Sequence, residues 1–521
     1  MPRPLILTGF MATGKSTVGR RVAELAGTAF EDLDARIEQR AGKRVADLFA
    51  ERGEAGFRAL ERSELEAVLG EPAVRVIALG GGALLARDLR LVALERAVVI
   101  TLTAPSTTLA ARIADGATRP LLAIDSGRRV TELLELRAPA YAEAHAVVDT
   151  GSADVDACAR NVLRIWERDA IAVAAGHSTY TVDVGSAIAA DRVPALTQGA
   201  THVLLVSDEN VAALHAAGVQ RALPRAHTLL SLEPGEPTKS PATLERVWRA
   251  ALDAGLDRRS RIVALGGGVV SDIAGFAAAT WMRGIQWAAL PTTLLAMVDA
   301  SVGGKTAVDL ADAKNVVGAF WQPSGVVCDV AFLATEPERG FVSALSEVVK
   351  TALIGDAALF ELLEHRAGAI RARDPEILVE IVRRSVIVKA RIVGRDERES
   401  GERATLNLGH TVGHALEAHG AYTRWTHGEA VALGLVAALR VGAQLGHTPP
   451  HLANRVIGLL RRLGLPVDLA QQPLGAATKL VARDKKRTGK SLRFVVAHDL
   501  GRVAYIDLPL AELTKHLETL A

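Results

Sequence analysis

The chain has 521 residues, too many for one hydrophobic core, and its length predicts about three domains. Its 61 basic and 59 acidic residues give a net charge of +2, which excludes the strong charge bias of nucleic-acid-binding or membrane-surface proteins. With 49% hydrophobic and 23% charged residues, the composition is that of a soluble globular protein.

The cysteine content and the N-terminus predict a cytoplasmic location. Cys158 and Cys328 are the two cysteines, and they allow neither a disulfide framework nor a Cys-x-x-Cys metal site. We expect no signal peptide before the first strand, and no apolar run approaches the ~20 residues that cross a bilayer.

The first third of the chain alternates short apolar strands with helical patterns. The strands are predicted at Leu5–Thr8, Val74–Leu79 and Val98–Leu102, with a helix from about Lys15 to Ala26. This alternation predicts a domain with a parallel sheet over residues 1–167. Residues 168–175 are predicted to be the seam that follows it.

A second α/β set begins near Tyr180. Buried strands are predicted at Val203–Ser207 and Ile262–Leu265, whereas helical spacing dominates from about Phe341 to Leu463. A late strand pair is predicted at residues 494–496 and 502–506. The pattern therefore predicts an α/β dinucleotide-binding domain over residues 175–335 and a mainly helical metal-binding domain over residues 336–521.

The segment from Gly9 to Thr17 has the spacing of a phosphate-binding P-loop. Gly9-x4-Gly14-Lys15-Ser16 lies between a predicted strand and a predicted helix. Backbone N–H groups of such a loop surround phosphates, Lys15 can bridge the β and γ phosphates, and Ser16 can bind Mg²⁺. The loop predicts ATP with Mg²⁺ as its ligand.

Several polar residues follow the P-loop in a distinctive order. Asp32 and Asp34 could serve the magnesium side and the acceptor hydroxyl, respectively. Arg58 and Arg137, taken singly, would be interpreted as surface charges. The full order of P-loop, Asp-x-Asp, Phe-Arg, Gly-Gly-Gly, Arg-Pro-Leu and Arg-x3-Tyr resembles shikimate kinase over residues 1 to about 165.

The resemblance implies a role for each of these residues. Ser16 and Asp32 would serve magnesium, and Arg119 would close from a lid onto the ATP phosphates, with Arg112 as a weaker candidate. Ala12 stands where that family commonly has glycine. The residues that would hold shikimate, with the two arginines on its carboxylate, are Asp34, Arg58, Gly80 and Arg137.

The second half contains a triple glycine and a histidine cluster. Gly266-Gly267-Gly268 precedes Asp272 without the Rossmann spacing, and residues 264–268 repeat the five letters of residues 78–82. Because the flanks differ, we interpret the repeat as coincidence between two strand ends where the backbone must approach a ligand closely. His410 and His414 share a helix face, which by spacing alone nominates both as zinc ligands.

A longer series of motifs resembles 3-dehydroquinate synthase over about residues 175 to 521. They are Gly235–Ser240, Gly266–Asp272, Met282-Arg283-Gly284, Pro291-Thr292-Thr293, Asp299-x5-Lys305, Lys314-Asn315, Ser346-Glu347-x2-Lys350, Asn407-x2-His410-x3-His414 and His427-Gly428-Glu429.

The resemblance divides these residues among three ligands. The ligands of a zinc or cobalt ion would be Glu347, His410 and His427. The residues around NAD would be Asp208, Glu236, Lys239, Gly267, Gly268, Asp272, Thr292, Thr293, Lys305, Lys314, Asn315 and Thr335. The substrate pocket would contain Arg283, Asp299, Lys305, Lys350, Arg403, Asn407 and His414, together with Lys485 or Lys486.

The two resemblances imply a bifunctional enzyme of aromatic amino acid biosynthesis. The first half would phosphorylate shikimate, and the second would close 3-deoxy-D-arabino-heptulosonate 7-phosphate into 3-dehydroquinate with loss of phosphate and regeneration of NAD. A homodimer through the second half is expected.

Alternatives stay open at this point. The second half could be a metal-dependent polyol dehydrogenase or another sugar-phosphate cyclase. The first half could be another small-molecule kinase or a regulatory nucleotide-binding module.

Overall fold

The computed structural model describes residues 3–114, 126–176, 178–311, 313–421, 423–475, 487–488 and 491–520. Contacts between Cα atoms divide the chain into two compact units, Met1–Asp183 and Val184–Ala521, called unit 1 and unit 2 below. The finer domain limits proposed from the sequence stay predictions.

Unit 1 is built on a five-stranded parallel sheet. Its strands are β1 (Leu5–Thr8), β2 (Ala29–Asp32), β3 (Arg75–Ala78), β4 (Val98–Thr103) and β5 (Ala146–Asp149). They lie in the order β2-β3-β1-β4-β5, and each neighbouring pair is parallel. The parallel sheet predicted from the alternating pattern is confirmed.

Helices cover both faces of this sheet. They are α1 (Lys15–Ala26), α2 (Leu33–Ala41), α3 (Val45–Gly70), α4 (Arg87–Arg96), α5 (Ser106–Ala114), α6 (Ser126–Ala142) and α7 (Val155–Arg168). Successive strand residues face opposite sides, so Ile6 packs into one core with Phe57 while Leu5 packs into another with Trp166. Burial on both faces explains why the strands read as continuous apolar runs.

The predicted seam at residues 168–175 contains a strand that the sequence pattern did not indicate. Residues Ile171–Ala175 form the buried strand β6, which pairs antiparallel with β7 (Ser178–Gly185). Alanine has a low strand propensity, so the run Ile-Ala-Val-Ala-Ala gave a weak strand signal. Burial of all five residues, together with pairing to β7, overrides that propensity.

Unit 2 begins with a second parallel sheet. The strands of this part of unit 2 are β8 (Val203–Asp208), β9 (His227–Leu232), β10 (Arg261–Gly266), β11 (Gln286–Pro291), β12 (Lys305–Leu310), β13 (Ala313–Phe320) and β14 (Val326–Asp329). Five of them lie in the parallel order β14-β11-β10-β8-β9, and β12 with β13 forms a separate antiparallel hairpin. The helices before β14 are α8 (Ala189–Leu196), α9 (Glu209–Val211), α10 (Ala217–Gln220), α11 (Pro241–Asp253) and α12 (Gly268–Thr280).

The rest of unit 2 is mainly helical, as predicted. The helices are α13 (Glu338–Gly355), α14 (Ala357–Arg371), α15 (Pro375–Arg395), α16 (His410–His419), α17 (His427–Gln444), α18 (Pro450–Arg462) and α19 (Leu510–Glu518). Strands β15 (Arg487–Thr488), β16 (Ser491–Asp499) and β17 (Arg502–Pro509) form an antiparallel sheet that contains the predicted late pair. Helices α13 and α17 are buried along most of their length, so this part has its own core.

Both cysteines are buried, Cys158 in unit 1 and Cys328 in unit 2. Among the described residues, none of the helices combines the length and apolar character needed to cross a membrane.

Candidate active sites

The P-loop of unit 1 connects the end of β1 to the start of α1. Gly9, Ala12 and Gly14 all have positive φ angles, of 132°, 61° and 87°. The Lys15 ammonium donates hydrogen bonds to the carbonyl oxygens of Gly9, at 3.0 Å, and Phe10, at 2.8 Å. Helix α1 has no acidic side chain in its first turn, so its N-terminal N–H groups favour an anion here.

The two residues expected to serve magnesium lie side by side. Ser16 Oγ donates a hydrogen bond of 2.6 Å to Asp32 Oδ2. The other carboxylate oxygen of Asp32 accepts the Asp34 backbone N–H at 3.1 Å, because Asp32 caps helix α2. This cap fixes the Asp32 carboxylate beside the P-loop and directs Asp34 into the first turn of the helix.

A glycine turn after β3 gathers the predicted acceptor-binding residues. A Cβ atom built on Gly80 would lie 2.6 Å from Glu61 Oε1 and 3.0 Å from Asp34 Oδ1. A Cβ atom on Gly82 would lie 2.2 Å from Nη2 of Arg58. Three charged side chains thus converge on this turn, and they leave no room for a side chain on Gly80 or Gly82.

Glu61 is a residue of this cluster that sequence reasoning missed. Its carboxylate, 1% exposed, forms an ion pair of 2.5 Å with Arg58. Burial raises the pKa of Glu61 to about 7, although the Arg58 guanidinium opposes the shift. The signal was available, since Glu61 follows Arg58 by three residues and so shares its helix face.

Arginines from helices α5 and α6 approach the same region. Arg137 lies over the Phe10 ring at 5.7 Å and contacts Tyr141. The Tyr141 hydroxyl donates a hydrogen bond of 2.6 Å to the Gly81 carbonyl oxygen. Arg112 donates to the carbonyl oxygens of Ala12, at 3.3 Å, and Thr150, at 2.9 Å, so it holds backbone around the P-loop. The lid residue of the sequence prediction, Arg119, lies outside the described residues.

Unit 2 contains a buried carboxylate that faces two histidines. Glu347 Oε1 lies 3.4 Å from Nε2 of His410 and 3.4 Å from Nε2 of His427. The ligand atoms of the three residues lie within 4.8 Å of one another. Two imidazole nitrogens and one carboxylate oxygen are a donor set typical of zinc or cobalt.

The electrostatics of this cluster favour a cation. Burial alone would raise the pKa of Glu347, but the Lys350 ammonium and His427 outweigh it, so that pKa is lowered. Burial would likewise lower the pKa of His427, but hydrogen bonds to Glu347 and Glu417 raise it to about 10. Two carboxylates thus stabilise positive charge at His427.

Further buried charges adjoin the histidine cluster. Lys350 forms an ion pair with Glu347, one helical turn away on α13. Lys389 of α15 donates to both the carboxylate and the carbonyl of Asp299, and burial lowers the Lys389 pKa to about 8. Buried Arg403 donates to the Gly303 carbonyl at 3.2 Å. Sequence reasoning missed Lys389, since nothing distinguishes it within the cationic pattern of α15.

A second carboxylate missed from the sequence links two predicted substrate residues. Glu399 forms an ion pair with Lys305 and accepts a hydrogen bond of 2.7 Å from Asn407 Nδ2. Its φ angle is 60°, an unusual conformation for a long side chain. The segment from Asp396 to Glu399 reads as a solvated acidic stretch, which hid this contact.

The predicted dinucleotide residues also assemble. Lys239 forms an ion pair of 2.5 Å with Asp272 and donates to Asn315. Burial raises the pKa of Asp272 to about 6 against the effect of Lys239. Lys314 lies 3.5 Å from Glu236.

The glycines after β10 lie against the next strand end. A Cβ atom on Gly267 would touch Thr293 at 3.4 Å. The Thr292 N–H donates to the Gly266 carbonyl, whereas its buried hydroxyl makes no hydrogen bond within the described residues. A pocket with side-chain-free backbone and a hydroxyl in need of a partner fits a pyrophosphate ligand.

Three other predicted residues, Asp208, Thr335 and Arg283, are placed less centrally. Asp208 caps helix α9, and Thr335 contacts His215 at 2.8 Å. Arg283 lies exposed in the turn Trp281–Arg283, and its side chain forms no hydrogen bond or ion pair within the described part of the chain. Lys485 and Lys486 lie outside the described residues.

Both units match known families. Residues 11–167 match the family model of shikimate kinase. Residues 229–343 and 344–487 match the models of the N-terminal and C-terminal parts of 3-dehydroquinate synthase, respectively.

Two relatives and one solved structure are similar to this chain over about two thirds of its length. A 3-dehydroquinate synthase of Halorhodospira halophila is 45% identical over 327 residues, which are 63% of this chain and 92% of the relative. One of Azotobacter vinelandii is 44% identical over 350 residues, 66% of this chain and 95% of the relative. The structure of 2-epi-5-epi-valiolone synthase from Streptomyces hygroscopicus, with NAD⁺ and Zn²⁺ bound, has a TM-score of 0.60 and 28% identity, covering 66% of this chain and 96% of that one.

Proposed function

The chain belongs to the 3-dehydroquinate synthase family and carries a shikimate kinase domain before the synthase, and from this we propose which residues perform each of its two reactions. It is a bifunctional enzyme of the shikimate pathway. We assign the phosphorylation of shikimate to unit 1, and the conversion of 3-deoxy-D-arabino-heptulosonate 7-phosphate to 3-dehydroquinate and phosphate to unit 2.

For the kinase, the convergence of Asp34, Arg58 and Glu61 on the turn Gly80–Gly82 carries the assignment. Arg58 and Arg137 bind the shikimate carboxylate, and Asp34 accepts the proton of the attacking hydroxyl. Lys15 exchanges its two carbonyl partners for ATP phosphate oxygens.

Ser16 and Asp32 would hold magnesium, which would neutralise charge on the transferred phosphoryl group. Their 2.6 Å contact brings two oxygen donors to one point beside the P-loop, which suits this hard cation. We propose that Thr17 completes the phosphate-binding loop and that Arg119 closes over ATP.

For the synthase, the meeting of His410 and His427 at Glu347 carries the assignment. These three residues would hold zinc, which would supply a Lewis acid for the substrate hydroxyl that is to be oxidised. Lys239, Asp272 and Thr292 would hold NAD⁺, which would supply a reversible hydride acceptor.

The charged residues beside the metal site are proposed to hold the substrate. Lys350, Lys389 and Arg403 present cations to the substrate carboxylate and phosphate, which both pair well with lysine and arginine. Lys305 and Asn407 bind the same substrate after leaving Glu399, and His414 lies next to it.

A two-substrate assay tests both assignments. One arm supplies ATP and shikimate, and the other supplies NAD⁺ and the heptulosonate phosphate, each with and without chelator. Chelation should remove both activities, and magnesium alone should restore only the kinase. Sustained NADH accumulation without phosphate release would contradict the synthase, and ATP turnover indifferent to shikimate would contradict the kinase.

Lys305→Ala tests the independence of the two sites. This variant should lose phosphate release and keep kinase activity, and loss of both would argue against independent sites. A cytoplasmic location and a homodimer through the synthase half are part of the proposal. Light scattering of the purified full chain checks the dimer.

A further inference from the structure

The two zinc-binding histidines differ in what holds their second ring nitrogen. In both rings Nε2 faces Glu347 Oε1. His410 Nδ1 lies 3.3 Å from the carbonyl oxygen of Leu408, whereas His427 Nδ1 lies 3.3 Å from the carboxylate of Glu417. Each histidine is thus held from behind, one by a neutral acceptor and the other by a charged one.

Glu417 is a buried carboxylate that the two reactions leave without a role. It follows His410 and His414 on α16 at the spacing i, i+4, i+7, so all three share one helix face. Its side chain is 8% exposed, and its ion-pair partner within the described chain is His427. Because a carboxylate is costly to bury, such a group is expected to have a specific partner.

We propose that Glu417 is a positioning residue for the metal site: its carboxylate accepts the Nδ1–H of His427 and keeps the Nε2 lone pair directed at the cation. This contact fixes the tautomer and the ring orientation, and it makes the imidazole a stronger ligand. The inference rests on the proposed metal site and adds to it a residue that determines metal affinity.

The fold places this contact where it can act. His427 is the first residue of α17, whose start is fixed by a capping box between Thr426 and Glu429. Gly428 packs so tightly on α13 that a Cβ atom there would lie 1.9 Å from the Ser343 carbonyl oxygen. The backbone of His427 is thereby held by its neighbours, so the orientation of the ring depends on its side-chain contacts with Glu347 and Glu417.

Glu417 could instead bind a second cation directly. His414, Glu417 and His427 also bring ligand atoms within 4.8 Å of one another. That arrangement would require His427 Nδ1 to lose its proton while Nε2 binds the first ion, and His414 is exposed to solvent. We therefore assign the carboxylate to the histidine, and the stoichiometry of binding distinguishes the two cases.

Zinc titration of the metal-free full chain against a chromophoric chelator tests the proposal. The variants are Glu417→Gln, which keeps the shape and removes the charge, and Glu417→Ala, which removes the contact. Glu512→Gln is the matched control, since Glu512 pairs with His516 at 4.0 Å elsewhere in unit 2. Circular dichroism of each metal-free variant verifies its fold.

We expect one zinc per chain, bound about tenfold more weakly by Glu417→Gln and up to about a hundredfold more weakly by Glu417→Ala. Glu512→Gln should bind like the wild type. Unchanged affinity in both Glu417 variants would overturn the proposal. So would two zinc ions in the wild type, with one retained at unchanged affinity by Glu417→Ala. A wild-type chain that binds no zinc would instead refute the proposed metal site itself.

Discussion

Two strand ends share the letters Ala-Leu-Gly-Gly-Gly, at residues 78–82 and 264–268, but the absent side chains serve different purposes. At the first, the space is taken by charged groups of the protein, with Arg58 against Gly82. At the second, a Cβ atom on Gly267 or Gly268 would meet a neighbour at an ordinary 3.4 Å. A glycine run therefore marks backbone that must stay bare, and the surrounding charges determine what it binds.

The largest effect on activity is expected at the first turn, where protein side chains fill the space beside the glycines. Gly82→Ala puts a Cβ atom 2.2 Å from Arg58 Nη2, and the flexible arginine must move. We expect kcat/KM for shikimate to fall several hundredfold, about 3–4 kcal/mol, because the charged contact of Arg58 to the substrate carboxylate is lost. Kinetics with varied shikimate measure it, with Gly267→Ala as the control that leaves the kinase unchanged. An unaltered KM for shikimate would separate the turn from the acceptor site.

The carboxylate beside the first turn should make stability depend on pH. Because the pKa of Glu61 is raised to about 7 from 4.5, the folded state binds its proton more tightly than the unfolded state. The contribution of Glu61 to the free energy of unfolding is therefore fully present below pH 4.5. Up to about 3 kcal/mol of it is lost as the pH rises through 7.

Glu61→Gln should remove this pH dependence. Urea unfolding followed by circular dichroism at pH 5 and pH 8 measures it. Glu54→Gln is a matched control, because Glu54 also pairs with Arg58, at 3.5 Å, but is 72% exposed. Equal pH profiles for wild type and Glu61→Gln would contradict the interpretation.

The second turn should respond in ligand affinity and hardly in stability. In Gly267→Ala the new Cβ atom meets Thr293 at an ordinary distance, so the melting temperature should stay close to that of the wild type. We expect NAD⁺ to bind roughly thirtyfold more weakly, about 2 kcal/mol, since the methyl group stands between backbone and pyrophosphate. Isothermal titration with NAD⁺ measures it. Gly82→Ala should leave NAD⁺ affinity unchanged, and unchanged affinity in Gly267→Ala would remove the turn from the dinucleotide site.

The smallest effect, on the free energy of unfolding, is expected at Ala12, where the backbone conformation and not the available space favours glycine. Ala12 has a φ angle of 61°, a region that costs alanine about 1–2 kcal/mol. After the larger entropy of an unfolded glycine is subtracted, Ala12→Gly should raise the free energy of unfolding by about 0.5–1 kcal/mol. Ala67→Gly, inside helix α3, should lower it by a similar amount. Calorimetry of both variants checks the opposite signs, and a destabilised Ala12→Gly would contradict them.

The parts of the molecule that sequence predicted best are those whose signals are local. Spacing along a single element is the signal for the P-loop and for the histidine pair His410 and His414. It is also the signal that Glu347 and Lys350 share a helix face. Glu61 and Glu417 followed the same spacing rules but were missed, because one more acidic residue on a helix reads as a solvated charge.

Contacts between distant segments could not be predicted in this way. Lys389 meets Asp299 across 90 residues, and Glu399 meets Lys305 across 94. No periodicity connects such positions, so only the folded chain reveals that these charges are paired. The strand Ile171–Ala175 was missed for a related reason, since its burial and pairing decide a conformation that its alanines do not favour.

Each unit contains one buried cysteine whose labelling rate can report the opening of that unit. Cys158 is 3% exposed and Cys328 is 0% exposed, and they lie on opposite sides of the division at Asp183. A thiol reagent can reach each one only when its surroundings open, so the two labelling rates report the opening of each unit separately under native conditions. Adding shikimate with a nucleotide should slow modification of Cys158, and adding NAD⁺ should slow that of Cys328, without any engineered label.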